Sequence, residues 1–108
     1  MKVSYRQAAA DDVVRQFRYY LVTLNLPEVA IRFLDSVRRT LQELLRHPLI
    51  GPRYHSNNPE IQNLRSWPVT GFEATRIYYL VDDAGLRVIR VLHSKRDVTS
   101  ILERDAAI

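Results

Sequence analysis

Thr75 to Val81 and Leu86 to His93 are two runs rich in β-branched and aromatic residues, and only Asp82-Asp83-Ala84-Gly85 separates them. Runs of that kind joined by so short a link form a β-hairpin. Asp suits the turn because its side chain bonds its own backbone, and Gly because it tolerates positive φ. The turn sets the register. With a two-residue loop at Asp83-Ala84, Val81 lies opposite Leu86, Tyr79 opposite Val88, Ile77 opposite Arg90 and Thr75 opposite Leu92, all on one mainly apolar face. The opposite face then carries Leu80 with Arg87, Tyr78 with Ile89, Arg76 with Val91 and Ala74 with His93. That parity makes Arg76 and His93 diagonal neighbours, about 7 to 8 Å apart at the backbone.

The rest of the chain follows from changes of period. Lys2 to Arg6 alternates, with Val3 and Tyr5 on one face, and reads as a strand. From Ala8 to Leu24 the apolar residues Val13, Val14, Phe17, Tyr20, Leu21 and Leu24 form a helical stripe, and Asp11 and Asp12 sit where the helix dipole favours negative charge. Asn25-Leu26-Pro27 closes this helix and opens a second, because Pro fits the first turn but not the interior. The second helix turns Ala30, Ile31, Leu34, Val37, Leu41, Leu44 and Leu45 inward, leaves Phe33 on the border, and stops at His47-Pro48. The stretch from Pro48 to Pro59 is dense in turn residues and reads as a loop. Ile61 to Val69 suggests a strand ending at Trp67, since Pro68 marks a strand end or an edge. After Asp97 a short helix follows, with Asp97 or Thr99 as cap and Val98, Ile101 and Leu102 apolar, and then a tail.

The expected fold is therefore α+β, in the order β-α-α-β-β-β with a short C-terminal helix or tail. An antiparallel helical hairpin covers the face of an antiparallel sheet that bears Ile77, Tyr79 and Val81. The face with Arg76 and His93 is left open or partly covered by the tail. At 108 residues the expectation is one domain over residues 1–108, burying roughly 65% of the unfolded chain's surface. The absence of Cys excludes disulfides and thiolate metal sites and fits the cytosol. No apolar signal core opens the sequence, and no run approaches the roughly 18 residues of a membrane span. Sixteen Lys and Arg against twelve Asp and Glu favour an acidic partner, either nucleic acid or an acidic protein surface.

Several chemistries are poorly served. His47, His55 and His93 lack the paired spacing of a zinc site. Gly51, Gly71 and Gly85 are isolated, so no phosphate-cradling loop exists, and no cofactor is expected. Ser66, Ser94 and His93 have nothing in local sequence to align them as nucleophile and base.

The motif set as a whole resembles a family. Pro48-x-x-Gly51, Leu64-Arg65 followed by Trp67-Pro68, Gly71-Phe72, Arg76-Ile77-x-Tyr79, and Arg90-Val91-Leu92-His93 with Arg96-Asp97 resemble the toxins of bacterial type II toxin–antitoxin systems in the RelE/ParE superfamily. The likeness is to the ParE, or plasmid-stabilisation, branch and spans nearly the whole chain. It implies a small cytoplasmic growth inhibitor neutralised by a ParD-like antitoxin, with DNA gyrase as the target. The alternative within the superfamily is a RelE-like endonuclease that cuts messenger RNA on the ribosome, and outside it a basic binding module that is not toxic.

Metal-independent RNA cleavage needs a base for the 2′-hydroxyl, a cation for the phosphate and an acid for the leaving oxygen. By resemblance, Arg76 matches a phosphate-contacting Arg, and His93 matches an acid or base in some nuclease members. No Glu lies between Gly51 and Pro59, and the sequence closes on Asp105-Ala106-Ala107-Ile108 without an aromatic, so that set is incomplete. The expected target or nucleic-acid surface comprises Arg65, Arg76, His93, Lys95 and Arg96, with Arg90 on the helix side unless it reaches past the sheet edge. A half-buried Arg76 otherwise needs a partner such as Asp97. Tyr20 belongs to the core or its boundary, while Tyr19 is placed to seat the antitoxin.

Overall fold

A four-stranded sheet of order β1-β4-β3-β2 carries the molecule, and the computed structural model describes it through residues 1–56 and 58–105. The strands are β1 (Lys2–Tyr5), β2 (Arg65–Val69), β3 (Phe72–Asp82) and β4 (Gly85–His93). The helices are α1 (Gln7–Arg18), α2 (Pro27–Arg46) and α3 (Val98–Arg104). The β-α-α-β-β-β order with a short C-terminal helix is the α+β architecture the sequence predicted. The sheet is mixed, because β1 joins β4 in parallel while β2, β3 and β4 form an antiparallel meander. Gly85 permits that parallel docking. A Cβ there would sit 2.2 Å from the Lys2 carbonyl oxygen, and its φ is +138°.

The hairpin turn forms where the sequence put it. Asp82 Oδ1 accepts from the backbone N–H groups of Ala84 and Gly85 at 2.8 and 3.2 Å, so the carboxylate helps to close the bend. Strand β2 starts later than expected, at Arg65, and runs through Pro68 to Val69 with a shift in register there. Its position at the sheet edge removes any need for the N–H that Pro lacks.

Helix α1 passes into a π-helical turn, Tyr19–Thr23, before Asn25 takes a left-handed conformation, φ 53°, and Pro27 opens α2. The extra residue in that wide turn packs Tyr20 against Phe33 and Phe72 and leaves Tyr19 half exposed. On α2 the buried line is Ala30, Phe33, Val37, Leu41 and Leu44. Ile31 and Leu34, expected inward, are 64% and 40% exposed, and Phe33, expected at the border, is fully buried. The large Phe33 ring packs between Tyr20 and Phe72.

Both faces of the sheet are packed. One core joins the helical hairpin to Val69, Ile77, Tyr79, Leu86, Val88 and Val91. On the other face Tyr78, Ile89 and Leu92 pack against Ile61, Leu64, Ile101 and Leu102. Helix α3, capped by Asp97 Oδ1 accepting from Ser100 N, thus covers part of the face expected to be open or partly covered by the tail. The bond from Ser100 also holds the Asp97 carboxyl below its ordinary range.

The largest departure is one residue of register. Pairing runs as expected from Asp82↔Gly85 to Tyr79↔Val88, then resumes as Tyr78↔Arg90, Ile77↔Val91, Arg76↔Leu92 and Thr75↔His93. Ile89 is therefore the additional residue of a β-bulge. Beyond it every β4 side chain changes face relative to the uninterrupted hairpin. Arg76 and His93, expected together, stand on opposite faces.

Candidate functional site

Three of the basic residues singled out from sequence hold the protein together. Arg65 Nη1 donates to the carbonyls of Leu49 and Gly51 at 3.2 and 2.8 Å. The Tyr79 hydroxyl donates to the Pro48 carbonyl at 2.9 Å and accepts from Gly51 N at 3.1 Å. Gly51 is required at this junction, since a Cβ would lie 2.6 Å from both the Ser66 carbonyl oxygen and the Tyr79 hydroxyl. Pro48-x-x-Gly51, Arg65 and Tyr79 are thus one lock that fastens the loop to the sheet. Burial pushes the Tyr79 phenol above its ordinary range, against the opposing pull of the Gly51 N–H.

Arg76 lies half-buried on the α3 face. Its Nε and Nη2 donate to Ser66 Oγ at 3.1 and 3.0 Å, and Nη2 also approaches the Ser66 carbonyl at 3.3 Å. The partner is a serine of the neighbouring strand, where the sequence suggested Asp97.

Arg90 has the strongest partners. The bulge turns it toward the α3 side near the point where β1 has ended, leaving the outer edge of β4 free. Arg90 Nε and Nη2 donate to Asp12 at 2.6 and 2.7 Å, and Nη1 donates to Asp105 at 2.6 Å. Asp12, 1% exposed, also accepts from Val91 N at 3.0 Å, and Gln16 Nε2 donates to the Val91 carbonyl at 2.9 Å. Two side chains of α1 therefore replace the missing strand along β4, satisfying backbone groups that burial would otherwise leave unpaired. The hydrogen bonds that Arg90 donates to Asp12 raise its pKa further above its already high ordinary value. From sequence Asp12 is a helix-dipole charge. Its place in the line Ala9, Asp12, Gln16, on the buried side of α1, was the available signal.

His93, Lys95 and Tyr19 come together elsewhere. With Arg15, Gln16 and Tyr20 they line a cleft of about 330 Å³ between the end of α1 and the turn after β4. His93 Nδ1 accepts from Lys95 N at 3.1 Å, which leaves the proton of the neutral ring on Nε2. Arg96 is exposed nearby, 3.8 Å from Asp12. The five predicted basic positions thus fall into separate places: Arg65 at the loop lock, Arg76 under α3, and His93, Lys95 and Arg96 at the α1 side. Among the described residues no cluster of His, Asp and Glu could hold a metal ion, and no helix is long and apolar enough to cross a membrane. Residues 106–108, the C-terminal positions that lack an aromatic, lie outside those described.

This fold and motif set can be compared with known proteins. The family described as the ParE toxin of the type II toxin–antitoxin system parDE matches residues 3–98, nearly the whole chain. The protein belongs to the ParE toxin family. Solved structures share the ParE-like fold at low sequence identity. A chain of the chromosomal ParDE toxin–antitoxin system from P. aeruginosa superposes with a TM-score of 0.69 at 18% identity, covering 86% of this chain and 95% of that one. The YoeB/ParE toxin from Agrobacterium tumefaciens gives 0.54 at 18% identity, covering 86% and 98%. No curated protein sequence matches significantly. As a ParE-family member the chain is the toxin of a two-component system, and an antitoxin is its implied partner.

Proposed function

We propose that this ParE-family toxin arrests growth in the cytoplasm by binding DNA gyrase, without cutting RNA, and that a ParD-like antitoxin neutralises it. The observation that carries the non-catalytic part is the bulge at Ile89. It separates Arg76 from His93 across the thickness of the sheet, and Arg76 is already bonded to Ser66. A phosphate-binding cation and an acid or base that cannot reach the same phosphodiester do not form a nuclease site, because general acid–base catalysis requires both within hydrogen-bond reach of one reacting group. Gyrase as the target follows from the family resemblance.

The antitoxin reading is supported by the outer surface of the helical hairpin. Val14, Tyr19, Val22, Leu26, Ile31 and Leu34 are each 40% to 71% exposed, an apolar surface typical of a protein partner's seat. Purified toxin should inhibit gyrase supercoiling and leave messenger RNA intact in a purified translation reaction. Cleaved message with unaffected supercoiling would reverse the assignment.

A further inference from the structure

We infer that Arg15 and Arg96 form the two sides of a binding site for a terminal phosphate group, where α1 passes the turn between β4 and α3. The site lies outside the gyrase reading and does not depend on it.

The site follows from how Asp12 is shared. Arg90 Nη2 donates to Asp12 Oδ1 at 2.7 Å, while Arg90 Nε and Val91 N donate to Oδ2 at 2.6 and 3.0 Å. Arg15 Nη1 and Arg96 Nη1 each stand 3.8 Å from that same Oδ1, too far for a hydrogen bond. They approach it from different elements, so the two guanidinium groups lie within twice that distance of each other. Their side chains are 60% and 40% exposed, and among the described residues neither guanidinium donates a hydrogen bond. Arg6 adds to the excess: its Nη1 is buried without a hydrogen-bond partner, 3.8 Å from the Asp105 carboxylate that Arg90 already engages. Four guanidinium groups thus face two carboxylates. Other acids nearby do not remove the surplus. Asp11 accepts from Gln7 at 3.0 Å and Asp97 caps α3, and the exposed Arg18 and Lys95 match their two charges.

Two positive charges in excess, on guanidinium groups that approach from different sides, select the ligand. A carboxylate is planar, carries one charge and fills one guanidinium fork. A phosphate monoester carries about −1.5 to −2 charge at neutral pH and three acceptor oxygens. Its tetrahedral oxygens can accept from both forks at about 2.7–2.9 Å and span the gap between them. Arg90, hydrogen-bonded to Asp12, cancels the negative charge of the floor beneath. A continuous nucleic-acid strand would need a row of cations along its path. Helix α1 does not supply one, since Asp11 lies one turn before Arg15 and the half-exposed Tyr19 one turn after it. The ligand that fits is a single terminal phosphate, either free or at the end of a nucleotide.

The test is a heteronuclear NMR titration with inorganic phosphate, thymidine 5′-monophosphate, thymidine and acetate, at an ionic strength held constant with chloride. Inorganic phosphate and the nucleotide should shift the amide resonances of Arg15 and Arg96 saturably. Thymidine should not shift them, and acetate should bind at least about threefold more weakly. Arg15→Gln and Arg96→Gln each remove one side of the site and should weaken phosphate binding roughly threefold to tenfold, a charge-assisted bond discounted for exposure. Both variants should keep their thermal midpoint within about 2 °C, because the side chains are exposed and not bonded to Asp12. Equal affinity for phosphate and nucleotide assigns the site to free phosphate, and a preference for the nucleotide assigns it to a nucleotide or strand end. Acetate binding as tightly as phosphate, shifts spread without saturation over the basic surface, or phosphate affinity indifferent to both substitutions would each overturn the site. The shifts are read at the two arginines themselves, so these results are independent of whether the toxin inhibits gyrase.

Discussion

Asp12→Ala tests the ionic centre most directly. Asp12 is 1% exposed and accepts three hydrogen bonds, two from Arg90 and one from the Val91 backbone. Removing it leaves a guanidinium whose side chain is only 11% exposed with Asp105 as its remaining hydrogen-bonded partner, and orphans a buried N–H. Breaking one side of a buried ion pair costs about 3–5 kcal/mol, and the value here belongs in the upper part of that range because an unsatisfied amide adds about 1–3 kcal/mol. Arg90→Met removes the other side and should cost about 3 kcal/mol, since Asp12 keeps its bond to Val91 N but loses its hydrogen-bonded cation, with Arg15 and Arg96 left 3.8 Å away. The double variant carries no uncompensated buried charge. Its loss should fall at least about 2 kcal/mol short of the sum of the two single losses, a coupling of the size seen for residues in one network. Urea unfolding of the four proteins gives the cycle. Additive losses, or an Asp12→Ala penalty below about 1 kcal/mol, would refute the claim that this pair fastens α1 to β4.

The loop lock makes two further demands. Tyr79→Phe deletes the hydroxyl that Gly51 N and the Pro48 carbonyl share and should cost about 1–3 kcal/mol, while Gly51→Ala should cost a similar amount through the clash with the Ser66 carbonyl; an unchanged urea midpoint in either would show that the loop is not held there. Alkaline pH provides an independent measurement. Burial raises the phenols of Tyr5, Tyr20, Tyr78 and Tyr79 above their ordinary value, so the folded state favours the protonated form. Their contribution is fully present below the unfolded pKa of about 10 and declines as pH climbs from there through the raised folded values. The urea midpoint should therefore drop above about pH 10, and less steeply in Tyr79→Phe; equal slopes would remove Tyr79 from the effect.

Much of the architecture was legible because it is written in short-range patterns. The Asp82 turn, the break at Asn25-Leu26-Pro27 and the Asp97 cap each act over a few residues. What escaped sequence reading depends on two segments meeting. The face exchange on α2 came from Phe33 finding Phe72, which the period of α2 alone does not contain. The bulge left a trace. An unbroken register puts Arg90 among Val81, Tyr79 and Ile77 on the apolar face, a conflict that one additional residue removes by aligning Leu86, Val88 and Val91 in the core. The partner that makes the bulge favourable, Asp12, lies 78 residues away in sequence, and no local rule connects the two.

That distant partner also bears on which chemistry the scaffold can perform. A cleavage site built from Arg76 and His93 would need β3 and β4 to pair without interruption from Tyr79 to Thr75. Such pairing would place Arg90 on the face that bears Ile77, Tyr79 and Val88, among apolar side chains. The bond from Val91 N to Asp12 and the two from Arg90 to the same carboxylate therefore fix the bulged register, and with it the separation of the two candidate catalytic groups. Closing that separation by a conformational change would require breaking all three bonds in a region with almost no access to water. In this register Arg76 and His93 stay on opposite faces of the sheet.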